Sequence, residues 1–236
     1  MTAEIIRSGA HRAPLQIAIQ ATLLIVARRM KVFRVIAHVP FLLALWVAPT
    51  QTFADTKRSG RELLDEDVNA PHMEWAVESA YLLGFINSPH SYEIAAEFFS
   101  ARLRWGKIDT DGWLRGYNQF YVTAMAEPIV RGIENHYYGF NTGMRYNFVR
   151  PYWRLVPYIS GGLGLGWIDS HASIRGAQGQ DFTFNILTAV GVSYEINDRL
   201  KLNVGVLYEH LSNGGQTDPN PSLNLIGPQV GLNYSF

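Results

Sequence analysis

The sequence predicts an all-β protein, an eight-stranded antiparallel transmembrane β-barrel of the bacterial outer membrane. Three features predict it: alternation of large apolar with small or polar side chains, an N-terminal stretch typical of a secretory leader, and the terminal aromatic residue Phe236. The alternating segments are about as long as the 9–11 residues that a β-strand needs to cross a bilayer. Large apolar residues on one face and Gly, Asn and Ser on the other indicate lipid outside and a polar interior.

Composition excludes several classes of protein. The chain has 236 residues, 17% charged and 13% aromatic, with a formal net charge of zero. Binding of nucleic acid would require a basic surface, so we expect no nucleic-acid partner. The absence of cysteine excludes a disulfide framework and a cysteine-based zinc site. The histidines outside the last strands share no metal-ligand spacing, so we expect no metal and no cofactor.

Residues 30–54 are typical of a signal peptide. Lys31 and Arg34 precede an apolar run over 35–47, and small residues at Thr52 and Ala54 form a cleavage site before Asp55. The alternative is a membrane-spanning helix, but the apolar run is shorter than the roughly 20 residues that a bilayer requires.

Two further segments flank this peptide. Residues 1–29 are an upstream leader or a mis-assigned start, and residues 55–72 form a polar periplasmic lead-in. The barrel itself is predicted over 73–236.

Strands are predicted from the alternation, which is regular over four stretches: 74–85, 138–148, 182–196 and 226–236. The same period over 200–212 adds a fifth. Less regular candidates complete a set of eight: 92–105, 113–126 and 153–167. Closure into a barrel is required because no unpaired strand edge can face lipid.

An eight-stranded barrel is narrow enough to be filled by side chains, so we expect no pore. The predicted inward polar groups are Glu78, Glu93, Glu97, Arg145 and Glu195. The turn at Asn197-Asp198 is short, whereas 169–180 and 213–222 are long. With both barrel ends in the periplasm, the long loops lie outside the cell.

His210 and Ser212 lie two residues apart at the outer end of the seventh predicted strand. Alternation over 200–208 places both on the apolar, lipid-facing side, and places Glu209 on the opposite side. Polar groups that face lipid cost several kcal/mol unless paired or near the interface. A serine beside an imidazole can attack an ester carbonyl to form an acyl-enzyme, and lipid A lies at this depth.

The C-terminal part of the chain resembles the PagL-type lipid A 3-O-deacylases. Three features carry the resemblance: the run His210-Leu211-Ser212-Asn213, a Gly-rich loop that contains Asn-Pro, and a last strand that ends in an aromatic residue. The resemblance implies an eight-stranded outer-membrane barrel that removes the ester-linked acyl chain at the 3-position of lipid A. It covers 203–236 in detail and the remainder in architecture only.

The resemblance also implies roles. His210 would be the general base and Ser212 the nucleophile, and the acidic member of the triad would fall fourteen residues after the histidine, at Asn224. An amide can accept the hydrogen bond from the imidazole but carries no charge. Candidate oxyanion donors are Asn213, Gly215 and Asn220, with Gly214 beside them; ordinary turn chemistry is the alternative for each.

Two alternatives stay open at this point: a weak or inactive barrel that is structural or binds lipid, and an esterase that acts on other outer-membrane lipids. Asp218 could also fold back to replace the missing carboxylate. The expected partners are lipopolysaccharide as substrate, outer-membrane lipids, and the barrel assembly machinery through Phe236. The sequence is also compatible with a homodimer.

Overall fold

The computed structural model describes residues 73–86, 91–109, 112–150 and 153–236. The predicted leader, signal peptide and lead-in lie outside these ranges. No helix within them is long and apolar enough to cross a membrane.

Eight β-strands form a closed barrel, in which each strand pairs antiparallel with the next and the last pairs with the first. β1 and β8 close the barrel by pairing along their length, from Glu74 opposite Ser235 to Ile86 opposite Asn224. The prediction of an eight-stranded antiparallel barrel is therefore confirmed. The strands are β1 (Met73–Ile86), β2 (Glu93–Asp109), β3 (Gly116–Arg131), β4 (His136–Phe148), β5 (Leu155–Ile168), β6 (Phe182–Glu195), β7 (Leu200–Ser212) and β8 (Leu223–Ser235).

The predicted strand ends differ from the observed ones by up to five residues, and two of these differences have a local cause. The third strand was expected over 113–126, but β3 begins at Gly116 and continues to Arg131. Trp113 is 75% exposed in the preceding turn, so an aromatic residue outside the strand shifted the prediction. The short turn after β6 was expected at 197–198, but it covers 196–199, because Ile196 and Asn197 both donate to the carbonyl of Leu200.

The outer surface of the barrel is apolar, as the alternation predicts. Most outward positions of β4 to β8 carry large apolar side chains, and few of them carry polar ones. Members of this surface are Phe140, Leu163, Val190, Val204 and Val230. Such a surface is suited to hydrocarbon and not to water.

The interior towards the inner end of the barrel holds a network of paired charges and amides. Arg102 forms a buried ion pair with Glu78 and donates to Asn233 Oδ1 at 3.0 Å. Lys201 donates to Glu74 at 2.7 Å, and Arg145 lies 3.5 Å from the ring centroid of Tyr158. A buried charge is tolerated when it is paired in this way. Glu78 and Arg145 are both buried inside the barrel, which confirms their predicted inward positions.

The interior towards the outer end holds a cluster of apolar side chains, together with a few buried polar groups such as Glu127 and Glu209. The buried cluster there includes Leu82, Ile94, Tyr137, Ile168, Leu211, Leu223 and Leu225. These residues come from the outer ends of strands around the barrel. Close packing therefore holds the end that carries the long loops, and the predicted polar interior is found mainly towards the inner end of the barrel.

Glu93 and Glu97 were expected inside the barrel and lie on its outer face. In β2 the even positions are buried, whereas Phe99 and Leu103 are exposed and share the parity of both glutamates. Ser79 donates to Glu97 Oε2 at 2.6 Å, and Tyr81 donates to Glu93. Each carboxylate that faces the membrane thus has a hydroxyl donor, which lowers the cost of its position.

Loss of the buried ion pair should destabilise the barrel. Arg102→Ala leaves the Glu78 carboxylate without its cation, and we expect a loss of about 3–5 kcal/mol in the free energy of unfolding. Urea titration in detergent, followed by the mobility shift of the folded barrel on gels, measures this loss.

The matched control is Arg131→Ala. Its side chain is 60% exposed and lies 3.5 Å from Glu93, so the change should be below about 1 kcal/mol. Equal stability of the two variants would contradict the importance of the interior network.

Candidate functional site

The three residues singled out in the last two strands come together on the outer face. β7 and β8 pair so that His210 lies directly opposite Asn224, and β6 places Phe184 opposite Ser212. All three polar residues are half-buried, and they share the face of exposed Val204 and Val206. Their predicted outward orientation is therefore confirmed.

The imidazole of His210 contacts a different partner through each ring nitrogen. Nδ1 lies 2.8 Å from Asn224 Oδ1, and Nε2 lies 3.2 Å from Ser212 Oγ. An amide oxygen can only accept, so Nδ1 carries the proton and Nε2 is left as an acceptor. The Ser212 hydroxyl can then donate to Nε2, which is the arrangement of a serine next to a base.

Asn224 is held by three hydrogen bonds. Its Nδ2 donates to the carbonyl of Ser222 at 3.2 Å, which turns Oδ1 towards the histidine. Oδ1 accepts from His210 and, at 2.8 Å, from the hydroxyl of Tyr208. The side-chain amide is thus fixed in the orientation that the histidine requires.

Tyr208 was counted only as part of the apolar face, so sequence reasoning missed its contact with the site. The signal was present, because Tyr208 precedes His210 by two residues and points to the same side of β7. Its hydroxyl gives the residue a polar tip on an apolar ring. Tyr208 is therefore part of the hydrogen-bonded group around Asn224.

Neither alternative carboxylate reaches the histidine. Glu209 is fully buried inside the barrel, where its carboxyl group interacts with that of Glu127. Asp218 is exposed in the loop after β7. Both ring nitrogens of His210 already have partners, so the residue next to the imidazole is the amide of Asn224.

The loop 213–222 folds around Asn213, which is fully buried. Its side-chain nitrogen donates to the carbonyl of Thr217 at 2.6 Å, and its side-chain oxygen accepts from the backbone of Gly215 at 2.9 Å. Its own backbone N–H donates to Asn220 Oδ1 at 3.2 Å. Asn213 and Gly215 thus use their donors within the loop.

Two donors of the loop that follows Ser212 stay available. Among the described residues, no acceptor contacts Asn220 Nδ2 or the backbone N–H of Gly214. Gly214 has φ of 67°, which is costly for residues with a Cβ, and a Cβ there would also meet the ring of Phe184 at 3.2 Å. Of the predicted oxyanion donors, Asn220 and neighbouring Gly214 are the ones with a free N–H group.

Apolar side chains surround the three polar residues on the membrane-facing side. Ile186 pairs with His210 across β6 and β7, and Ile226 pairs with Tyr208 across β7 and β8. Both are about two-fifths exposed, at 39% and 41%. Within the described ranges, no group of three or more His, Asp or Glu could hold a metal ion.

A closed eight-stranded barrel with an apolar outer surface defines the class of the protein, an integral β-barrel of the bacterial outer membrane. The sequence model of the PagL family, described as lipid A 3-O-deacylase, matches residues 91–233. The chain therefore belongs to the PagL family.

The chain is similar to two solved structures, the first of which agrees with the fold. Neisserial surface protein A is 16% identical, with a TM-score of 0.50, and the match covers 70% of this chain and 97% of that one. The outer-membrane enzyme PagL is also 16% identical, with a TM-score of 0.49, and the match covers 67% and 97% of the two chains. A comparison with curated proteins gives no match.

Proposed function

We propose that this protein is an outer-membrane serine esterase that removes the 3-O-linked acyl chain from lipid A. Its membership of the lipid A 3-O-deacylase family supports the substrate class. The observation that carries the proposal is the pair of contacts from His210, to Ser212 at 3.2 Å and to Asn224 at 2.8 Å. The roles of the individual residues belong to the proposal.

The reaction proceeds through two acyl transfers. His210 Nε2 takes the proton of the Ser212 hydroxyl while Oγ attacks the ester carbonyl. The tetrahedral oxyanion accepts hydrogen bonds from donors of the 213–222 loop, for which Gly214 N–H and Asn220 Nδ2 are available. Collapse breaks the ester C–O bond, and His210 returns its proton to the leaving 3-oxygen. Water, activated by the same imidazole, then releases the fatty acid.

The location on the outer face suits a lipid substrate. The ester can reach Ser212 from the side, while the acyl chain stays in the membrane against Ile186 and Ile226. The apolar chain does not need to enter water or the barrel interior, so the cost of exposing it is avoided.

Asn224 is the departure from the triad that the resemblance implies. It can hold the tautomer and orientation of His210, but it cannot stabilise the positive charge that forms on the imidazole. Tyr208 donates to the same amide oxygen at 2.8 Å and helps to fix it. We therefore expect a slow enzyme, because its base is well oriented but no negative charge stabilises the imidazolium.

Removal of the nucleophile tests the proposal directly. Purified protein in detergent is incubated with lipopolysaccharide, and lipid A is followed by mass spectrometry. We expect loss of one hydroxyacyl chain, and we expect Ser212→Ala to reduce this rate at least about a thousandfold. Thr188→Val, which removes an exposed hydroxyl at an outward position of β6, is the control and should keep the rate.

No change in lipid A with the unaltered protein in several detergents would contradict the deacylase proposal and favour the alternative of an inactive barrel. Release of fatty acid from phospholipid vesicles, but not from lipopolysaccharide, would instead identify an esterase for other outer-membrane lipids. Both outcomes are read in the same assay with Ser212→Ala alongside.

Restoring the carboxylate should raise activity. Asn224→Glu adds the negative charge that stabilises the imidazolium in the transition state, and we expect kcat to rise about tenfold or more. The carboxylate also favours the protonated imidazole, so the acidic limb of the pH–rate profile should move to higher pH. Asn224→Gln has the same length without the charge and should gain nothing, whereas equal gains in both variants would contradict a charge effect.

The hydroxyl of Tyr208 should contribute through Asn224. Tyr208→Phe removes one hydrogen bond to the amide, and we expect kcat to fall about fivefold, as for a net loss of about 1 kcal/mol. Tyr234→Phe removes an outward-facing hydroxyl near the other end of β8 and is the matched control. Equal kcat values for Tyr208→Phe and the unaltered protein would show that Asn224 is positioned without it.

A further inference from the structure

The loop that follows Ser212 and carries the free donors is attached to a second loop. Residues 169–181 connect β5 to β6, and 213–222 connect β7 to β8. The backbone N–H of Gly179 donates to the carbonyl of Pro219 at 2.7 Å. A Cβ at Gly179 would meet the carbonyl oxygen of Asp218 at 2.6 Å, so the two backbones are in close contact.

Gln180 makes the polar connections between these loops. Its Nε2 donates to Gln216 Oε1 at 2.9 Å, and its Oε1 accepts from the Thr217 hydroxyl at 2.6 Å. The same Nε2 donates to the carbonyl of Phe182 at 2.9 Å, at the start of β6. One side-chain amide therefore joins β6 to two consecutive residues of the second loop.

The first loop is itself a fixed platform. The backbone N–H of Gln178 donates to Glu134 at 2.8 Å, and Ala177 and Gln178 are fully buried. Asp169 accepts from the backbone N–H groups of Asn135 and His136 at 2.9 Å each. Partial burial raises the pKa of Asp169, but the hydrogen bond from the side-chain amide of Asn135 at 2.7 Å, together with these two backbone hydrogen bonds, outweighs it and holds the pKa below its usual value.

The connection continues from Gln180 to the proposed site. Thr217, whose hydroxyl contacts Gln180, also offers its carbonyl to the side chain of Asn213 at 2.6 Å. Asn213 follows Ser212 directly and bonds both Gly215 and Asn220. Two hydrogen bonds thus lead from Gln180 to Asn213, which directly precedes Gly214, and a third leads from Asn213 to Asn220.

We propose that Gln180 is a positioning residue of the proposed deacylase, which fixes the 213–222 loop so that Gly214 N–H and Asn220 Nδ2 keep their place relative to Ser212. This inference rests on the proposed function. Gln180 does not touch the substrate; it acts through Thr217 and Asn213. Oxyanion donors contribute only when they are held in place before the charge develops.

The test compares Gln180→Met with the unaltered protein. Methionine is similar in length and makes none of the three hydrogen bonds. We expect kcat for lipid A deacylation to fall about tenfold to a hundredfold, with KM unchanged, because misplacement by about 1 Å costs up to about a hundredfold. Gln180→Glu keeps the acceptor for Thr217 but loses the donor, and should give an intermediate kcat.

Thr217→Val removes the hydroxyl that donates to Gln180 but keeps the backbone carbonyl that accepts from Asn213. It should lower kcat similarly, and the double variant Gln180→Met/Thr217→Val should lose little more than either alone. Ser170→Ala, which removes a hydrogen bond to Asp181 within the first loop but outside the connection, is the control and should keep kcat. If Gln180→Met does not fold, Thr217→Val decides the question.

Hydrogen exchange of the backbone amides in 213–222 separates this inference from the proposed function. Faster exchange in Gln180→Met, with the strands unchanged, supports the connection even if the unaltered protein leaves lipid A intact, in which case the deacylase proposal alone fails. Unaltered kcat and unaltered exchange in Gln180→Met would overturn the positioning role, and so would a rise in KM at constant kcat.

Discussion

The need to pair every backbone group in a membrane determines the rest of this structure. A strand edge exposed to lipid would leave N–H and C=O groups without partners, and pairing of β1 with β8 removes both edges. Once the barrel is closed, successive side chains along a strand point alternately into the interior and to the outer surface. Whether a residue faces inward or outward is therefore set by its position in this alternation. His210, Ser212 and Asn224 face the membrane because they share the parity of Val204 and Ile226, not because of any local signal for a site.

The sequence predicts this fold well wherever one side of a strand is clearly larger and more apolar than the other. In β6 and β7 most outward positions carry large apolar side chains. The facing of residues follows from this alternation, and so do the strand bounds to within one residue. In β2 the pairs Ala95-Ala96 and Phe98-Phe99 put similar residues on both faces, so the phase cannot be read. The interior there is apolar, and for that reason Glu97 was assigned to the wrong side.

The site is predictable in part for the same reason. Periodicity places His210 and Ser212 together, and the family resemblance points to Asn224. Neither of them indicates Tyr208 or shows which loop donors are already used in hydrogen bonds. Those depend on contacts between side chains whose direction is not set by parity. Asn213 is an example: next to Ser212 it reads as an oxyanion donor, yet its amide is used to shape the loop.

The apolar packing at the outer end explains how a barrel face can hold such a site. Leu211 and Leu223 are fully buried and alternate with Ser212 and Asn224 along the same two strands. Their packing fixes the backbone from the inside, so the outward polar side chains need only local hydrogen bonds to keep their orientation. An amide in place of a carboxylate is compatible with this support, since Asn224 and a carboxylate differ in charge and not in the capacity to accept from Nδ1. In the proposed reaction the site would lack electrostatic stabilisation of the imidazolium, and neither tight packing nor a second donor from Tyr208 can supply a negative charge.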